Sequence, residues 1–212
     1  MKNNNDIKVM LKEAGILFAI TLIAGLVLGF VYEITKEPIR KQQELAIVRA
    51  CQAVFADAST FDDGAYSDWT AVVGEETIAE FAAKGVEVGT IFAAKDASGN
   101  VLGCVIESTT HEGYGGDIVL YVGVRNDGTL NGISLLEISE TPGLGMQAED
   151  VLVPQFAGKQ VESFTYTKTG SQSDSEIDAI SGATVTTEAV TNAVNAGLEV
   201  SAKLMEGGTG NE

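Results

Sequence analysis

Residues Gly15 to Tyr32 read GILFAITLIAGLVLGFVY, eighteen consecutive positions without a charge. A helix of that length suits the hydrocarbon core of a bilayer, which takes roughly 20 mostly apolar residues to cross. A cleaved signal peptide is the competing reading, but its apolar run is usually about 7–15 residues and ends at a small-x-small site. This run ends in Phe30-Val31-Tyr32-Glu33, so an uncleaved anchor is expected over residues 15–34. Lys2, Lys8 and Lys12 precede it, and Lys36, Arg40 and Lys41 follow, so the positive-inside count is a tie. A short N-terminal tail and a large acidic remainder favour residues 1–14 inside and the C-terminal part outside.

Charge narrows the partners. The chain has 212 residues and a formal net charge of −17. Residues 1–50 hold seven basic and five acidic side chains; the rest hold six and twenty-five. So acidic a domain repels nucleic acid, whose backbone is itself a row of negative charges. It also stays off an anionic membrane surface unless tethered, so lipid contact is expected through the anchor alone. One histidine, with no paired Cys or His spacing, gives no metal site. Cys51 and Cys104 fit either a single disulfide or two buried thiols.

Past the anchor, apolar residues at helical spacing (Ile39, Ala46, Ile47, Ala50, Val54) predict a stalk over residues 35–57, with Pro38 in its first turn. Asp57–Asp68 reads as a loop. Val88–Ala94 and Val101–Glu107 flank Asp96-Ala97-Ser98-Gly99-Asn100, a hairpin signal. Ile118–Arg125 and Leu130–Ile138 flank Asn126-Asp127-Gly128-Thr129, where Asp-Gly suits a tight turn. A short helix over Glu149–Phe156 and a strand over Ser163–Thr169 follow. The pattern predicts an α+β fold: antiparallel sheet and flanking helices in a domain over residues 58–206, with residues 207–212 a disordered tail.

Three segments carry chemistry. Asp178-Ala179-Ile180-Ser181-Gly182-Ala183-Thr184 leads into a helical pattern through Ala189, Val190, Ala193, Val194 and Leu198. Thr186 or Thr187 suits the N-cap, and Glu188 the first turn, where negative charge is favoured. A helix start with hydroxyls and free N–H groups suits a phosphate, although a plain capped helix explains the same residues. The second segment is His111-Glu112-Gly113-Tyr114-Gly115-Gly116-Asp117, and the third Glu140-Thr141-Pro142-Gly143-Leu144-Gly145. Glycines admit a flat ligand and an aromatic gives it a surface, but two ordinary connections would look alike. His111 has no evident partner and reads as solvated.

Asp-x-x-Ser-Gly-Ala-Thr resembles the flavinylation motif of the FMN-binding domains in the Rnf and Na+-translocating NADH:quinone oxidoreductase complexes. The Gly-Tyr-x-Gly and Glu-Thr-Pro-Gly-Leu-Gly loops resemble the same family's segments, in the same order, across most of residues 90–200. The resemblance implies FMN joined through its phosphate to Thr184, delivered from FAD by a flavin transferase on the outer face of the membrane. It implies a cofactor site of Tyr114, Gly115, Glu140, Thr141, Leu144 and Gly145 around the flavin, with Asp178, Ser181, Gly182 and Ala183 supporting the linkage. No residue is expected to be catalytic.

One anchor, a stalk and a single domain resemble the G-subunit family of the Rnf complex, which couples electron flow between ferredoxin and NAD to ion movement. The implied role is an electron carrier among other Rnf subunits, notably a membrane subunit also carrying covalent FMN. The C subunit of the quinone-reducing complex, a stand-alone extracellular flavin reductase and a non-redox membrane-anchored binding module are the alternatives. No Gly-x-Gly-x-x-Gly fingerprint for a nicotinamide follows a strand.

Overall fold

The computed structural model describes residues 4–208 and divides into two compact units, one ending at Leu45 and one starting at Ala46. In the first unit the chain is helix α1, which starts at Asn4 and continues to Val54. Its apolar stretch is fully exposed, with a mean hydropathy of 2.6 over eighteen residues, so it is long and apolar enough to cross a membrane. Thr21, a hydroxyl inside this stretch, donates to the Leu17 carbonyl at 3.0 Å. Such a bond satisfies the hydroxyl within the helix, as a hydrocarbon surrounding would require. Pro38 does not open a new helix as the stalk pattern suggested; it lies inside α1. It removes one ladder bond, and the pairs Glu33–Lys36 and Glu37–Arg40 flank it on the exposed surface.

The second unit takes in the last turns of α1 and is built on one antiparallel sheet in the order β1-β2-β3-β4-β5. The strands are β1 (Thr60–Asp62), β2 (Val86–Lys95), β3 (Val101–Thr110), β4 (Ile118–Arg125) and β5 (Leu130–Glu137). β1 lies in the segment expected to be loop, where Thr60–Asp62 pairs with Ala93–Lys95 at the sheet edge. Asp96 closes the first hairpin by accepting from the Ser98 and Asn100 N–H groups at 2.7 and 2.9 Å. Asp127 closes the second by accepting from Thr129 N–H at 2.9 Å. Helices α2 (Trp69–Val73) and α3 (Glu75–Ala83) precede β2 and had no counterpart in the sequence pattern.

After β5 a 3₁₀ turn (Gly145–Gln147) leads into α4 (Ala148–Val151) and α5 (Val153–Phe156), so the expected short helix is split in two. The expected strand near residue 165 shrinks to β6 (Thr165–Thr167), which pairs in parallel with β7 (Glu176–Asp178) apart from the main sheet. Long helix α6 (Thr184–Gly208) closes the unit. Gly207 and Gly208 extend it, while Thr209–Glu212 of the expected disordered tail lie outside the described residues.

The sheet buries both faces. Ile106, Leu120, Val122 and Val124 lie in one cluster with Ala189, Val190, Ala193 and Val194 of α6. A Cβ on Gly197 would meet the Val122 Cβ at 2.9 Å, so the glycine sets how closely α6 sits on β4. On the other face Cys51, Val54 and Phe55 pack with Val105 and Tyr121. Cys51 and Cys104 therefore belong to different clusters, both as free thiols, and burial pushes both pKa values up to about 12.

Candidate functional site

The turn into α6 is held by backbone and hydroxyl bonds. Ala183 N–H donates to the Ile180 carbonyl at 3.0 Å, and Gly182 adopts φ +78°, a value side chains with a Cβ avoid. α6 starts at Thr184, so neither Thr186 nor Thr187 is the N-cap, and Glu188 lies past the first turn. Thr187 instead fastens the turn from within: its Oγ1 accepts from Ile180 N–H at 3.1 Å and donates to the Ala183 carbonyl at 2.9 Å. As the first residues of the helix, Thr184, Val185 and Thr186 have N–H groups without intrahelical acceptors. The helix dipole adds about half a positive charge there.

A cleft of about 480 Å³ opens at this helix start. Gly182, Ala183, Thr184, Val185 and Thr186 line it together with Tyr114, Glu140, Thr141, Leu144 and Gly145. Tyr114 is 74% exposed and Leu144 40%, so two large apolar surfaces stand open at the cleft. Of the hydroxyls at the start of α6, Thr184 and Thr186 line the cleft; Thr184 is half-buried, whereas Thr186 and Thr187 are buried.

Glu140 is the buried charge of the site, at 7% exposure. Its Oε1 accepts from Gly115 N–H at 3.2 Å. Gly145 is wedged between elements: a Cβ there would lie 2.6 Å from Thr186 Oγ1 and 2.7 Å from Glu140 Oε2. The two glycine-rich loops and the first turn of α6 thus meet within one van der Waals layer. Among the described residues no Lys or Arg lines the cleft, so an anion there would rest on backbone N–H groups and the helix dipole.

Three of the expected site residues lie outside the lining. Gly115 stands behind the wall, where a Cβ would lie 2.1 Å from the Ser139 carbonyl oxygen. Ser181 is exposed at the turn. Asp178 ends β7, its Oδ1 accepting from Ser171 N–H at 2.7 Å and its N–H donating to Gln155 at 2.6 Å. Val185 and Thr186 line the cleft and were not anticipated; their positions directly after Thr184 at a helix start are the signal that could have found them.

His111 is not solvated without partners. Its Nδ1 lies 3.0 Å from Asp117 Oδ1 and its Nε2 3.6 Å from Glu87 Oε2. The hydrogen bond to Asp117 raises its pKa above the ordinary 6.5. It lines a separate apolar hollow with Trp69, Ile78 and Phe81.

Known proteins match this sequence. The FMN-binding domain family matches residues 113–199, a span that includes every cleft residue, and the RnfG N-terminal region matches residues 1–54. The chain is 31% identical to the G subunit of the Na(+)-translocating ferredoxin:NAD(+) oxidoreductase complex of Acetobacterium woodii, over 92% of this chain and 93% of that one. It is 31% identical to the G subunit of the proton-translocating ferredoxin:NAD(+) oxidoreductase complex of Clostridium ljungdahlii, over 89% and 93%. It is 29% identical to the G subunit of the ion-translocating oxidoreductase complex of Methanosarcina acetivorans, over 92% and 96%. Among solved structures, the crystal structure of Shewanella oneidensis NqrC superposes with a TM-score of 0.48 at 25% identity, over 57% of this chain and 61% of that one. By identity across nearly their whole length, the chain belongs to the family of G subunits of ion-translocating oxidoreductase complexes and carries that family's FMN-binding domain.

Proposed function

We propose that this chain is the electron-carrying G subunit of a membrane-bound ferredoxin:NAD+ oxidoreductase, with FMN held by a phosphoester to Thr184 and lying in the cleft above it. The observation that carries this reading is the position of Thr184: first residue of α6, half-buried and lining the cleft, with its neighbouring hydroxyls at 186 and 187 buried. The cleft suits FMN in volume, since ligand sites commonly run to about 300–1,000 Å³. It suits it in chemistry too. Free N–H groups at the helix start match a phosphate, and the exposed Tyr114 and Leu144 match an isoalloxazine face. Covering a side chain of that kind contributes roughly 1.5–3 kcal/mol.

FMN, when bound, supplies reversible uptake and release of electrons. The chain's own residues hold and orient it. Thr184 Oγ1 bonds to the phosphorus of FMN as the pyrophosphate of FAD breaks and AMP leaves, a transfer performed by a separate flavin transferase. Asp178, whose carboxylate holds the segment at Ser171, keeps the loop before the motif in one shape for that enzyme. Gly182 lets the turn present Thr184, and Gly115, Glu140, Thr141 and Gly145 frame the ring side. A covalent link matters on the extracytoplasmic side, where free FMN would be lost.

In this reading residues 15–34 cross the membrane, residues 1–14 stay inside, and the domain faces out. Its partners are other Rnf subunits, among them a membrane subunit that also carries covalent FMN. The names of the relatives divide between sodium and protons as the coupling ion. Gel fluorescence under ultraviolet light, after denaturing the protein co-produced with a flavin transferase, tests the reading. A fluorescent band supports it, and a dark band overturns it.

A further inference from the structure

We infer that His111 and Asp117 are positioning residues for the cofactor: their side chains clasp the two arms of loop 111–117 and so fix where Tyr114, at its tip, meets the ring. The inference rests on the reading that FMN occupies this cleft, and it gives a role to two residues outside the cleft lining.

The loop needs such a clasp. It joins the paired ends of β3 and β4, Thr110 and Ile118, and Gly113, Gly115 and Gly116 make up much of it. Glycine leaves a chain more freedom than any other residue, so a loop of this kind holds no shape of its own. Tyr114 is 74% exposed, so its own packing does not fix it either. The two arms nevertheless run close together: a Cβ on Gly113 would lie 2.2 Å from the Gly116 carbonyl oxygen. At the neck His111 Nδ1 stands 3.0 Å from Asp117 Oδ1, joining the first residue of the loop to the last. Hydrogen bonds tie the first arm down, from His111 N–H to the Gly85 carbonyl at 2.8 Å and from Glu112 N–H to Thr110 Oγ1 at 3.3 Å. Asp117 fastens the second arm to that fixed point, and the Gly115 bond to Glu140 then sets the tip against the cleft.

The charges around His111 favour its cation. Asp117 faces it from its own loop, and Glu87 faces it from β2, with Oε2 3.6 Å from Nε2. Glu112 packs over Gly85 beside it, and Lys84 precedes that glycine. Among the described residues, α2 and α3 bring no charged side chain to the hollow that His111 lines. A protonated ring makes a charge-assisted bond to Asp117, stronger than the neutral one. The folded pKa lies above the ordinary 6.5, chiefly through Asp117, so the clasp slackens as pH rises through the folded value. Both side chains are exposed, and the effect is accordingly a graded loosening of the loop.

The test uses the full-length flavinylated protein in detergent and reads the emission of the flavin in the native chain. An aromatic ring packed on a flavin quenches its fluorescence, so Tyr114 reports its own position. Tyr114→Ala should brighten the flavin, and His111→Gln should brighten it by a smaller amount. The double variant should be no brighter than Tyr114→Ala alone, because both changes act through one side chain. In the wild type, emission should rise as pH passes upward through the folded pKa of His111. His111→Lys keeps a cation opposite Asp117 and should show no such rise. Equal emission in wild type and either single variant, or brightening that adds in full in the double variant, overturns the inference while leaving the attachment at Thr184 standing. If His111→Gln folds poorly, the wild-type titration decides, and a flat profile overturns the inference. A wild-type protein without covalent flavin overturns both.

Discussion

The Glu140 carboxylate accepts a hydrogen bond from the Gly115 backbone N–H at 3.2 Å, and this one contact joins two loops twenty-five residues apart. The first loop brings Tyr114 and the second Leu144 to the same cleft. Their placement in the cleft lining therefore depends on a joint that tolerates almost no added volume.

Gly145→Ala tests that joint. A methyl group would arrive 2.6 Å from Thr186 Oγ1 and 2.7 Å from Glu140 Oε2, so the loop or α6 must shift. Overpacking of this kind costs about 1–3 kcal/mol. A lowered thermal midpoint and reduced flavin per chain are expected; an unchanged melt would mean the wall yields without cost.

Ring contact is separable from attachment. Leu144→Asp places a charge on a surface that is 40% exposed, and Tyr114→Ala removes an exposed aromatic face from the same cleft. Both should leave flavin fluorescence in the denatured band intact, while the visible absorption and the midpoint potential shift. Native spectra in both variants would put the ring elsewhere.

The end of α1 belongs to the domain's core. Cys51, Val54 and Phe55 are buried against β3 and β4, and a Cβ on Gly123 would meet the Val54 Cβ at 2.8 Å. A fragment starting near Glu33 should stay soluble, monomeric and competent for flavinylation. One starting at Ala58 loses those side chains and should melt far lower or not fold. Phe55→Ala in the longer fragment should cost about 3–5 kcal/mol by denaturant titration.

His111 predicts a pH effect with a definite sign. Its folded pKa lies above 6.5, chiefly because Asp117 stabilises the protonated ring, with Glu87 assisting. Protonation is favoured by folding, so its stabilisation is complete below pH 6.5 and fades as pH rises through the folded value. The pair is largely exposed and worth under about 1 kcal/mol. The difference in thermal midpoint between wild type and His111→Gln should be visible near pH 6 and absent well above the folded pKa. A difference that grows with pH would contradict the assignment.

Some of this structure was legible in the amino-acid pattern because local chemistry decides it. β4 has its expected bounds, Ile118–Arg125, since its apolar run ends at Asn-Asp-Gly, which closes a tight turn. The apolar run announced a spanning helix, but not that the helix would pass Pro38. The start of α6 was misplaced because a threonine that caps a helix and one that bonds back from its first turn look alike in sequence; Thr187 does the latter. β7 is three residues long and gains its pairing only from β6, a tertiary effect without local signature. In the site, the glycine loops could be found by composition. The closeness of Gly145 to Thr186 could not, because it depends on how α6 meets a loop forty residues earlier.

The most direct test of the central claim is the intact mass of the chain co-produced with a flavin transferase, compared for wild type, Thr184→Val and Thr186→Val. Wild type and Thr186→Val should each carry the added mass of one FMN less one water, and Thr184→Val should carry none while keeping the wild-type circular dichroism. A folded Thr184→Val chain that still carries the flavin mass would contradict the account.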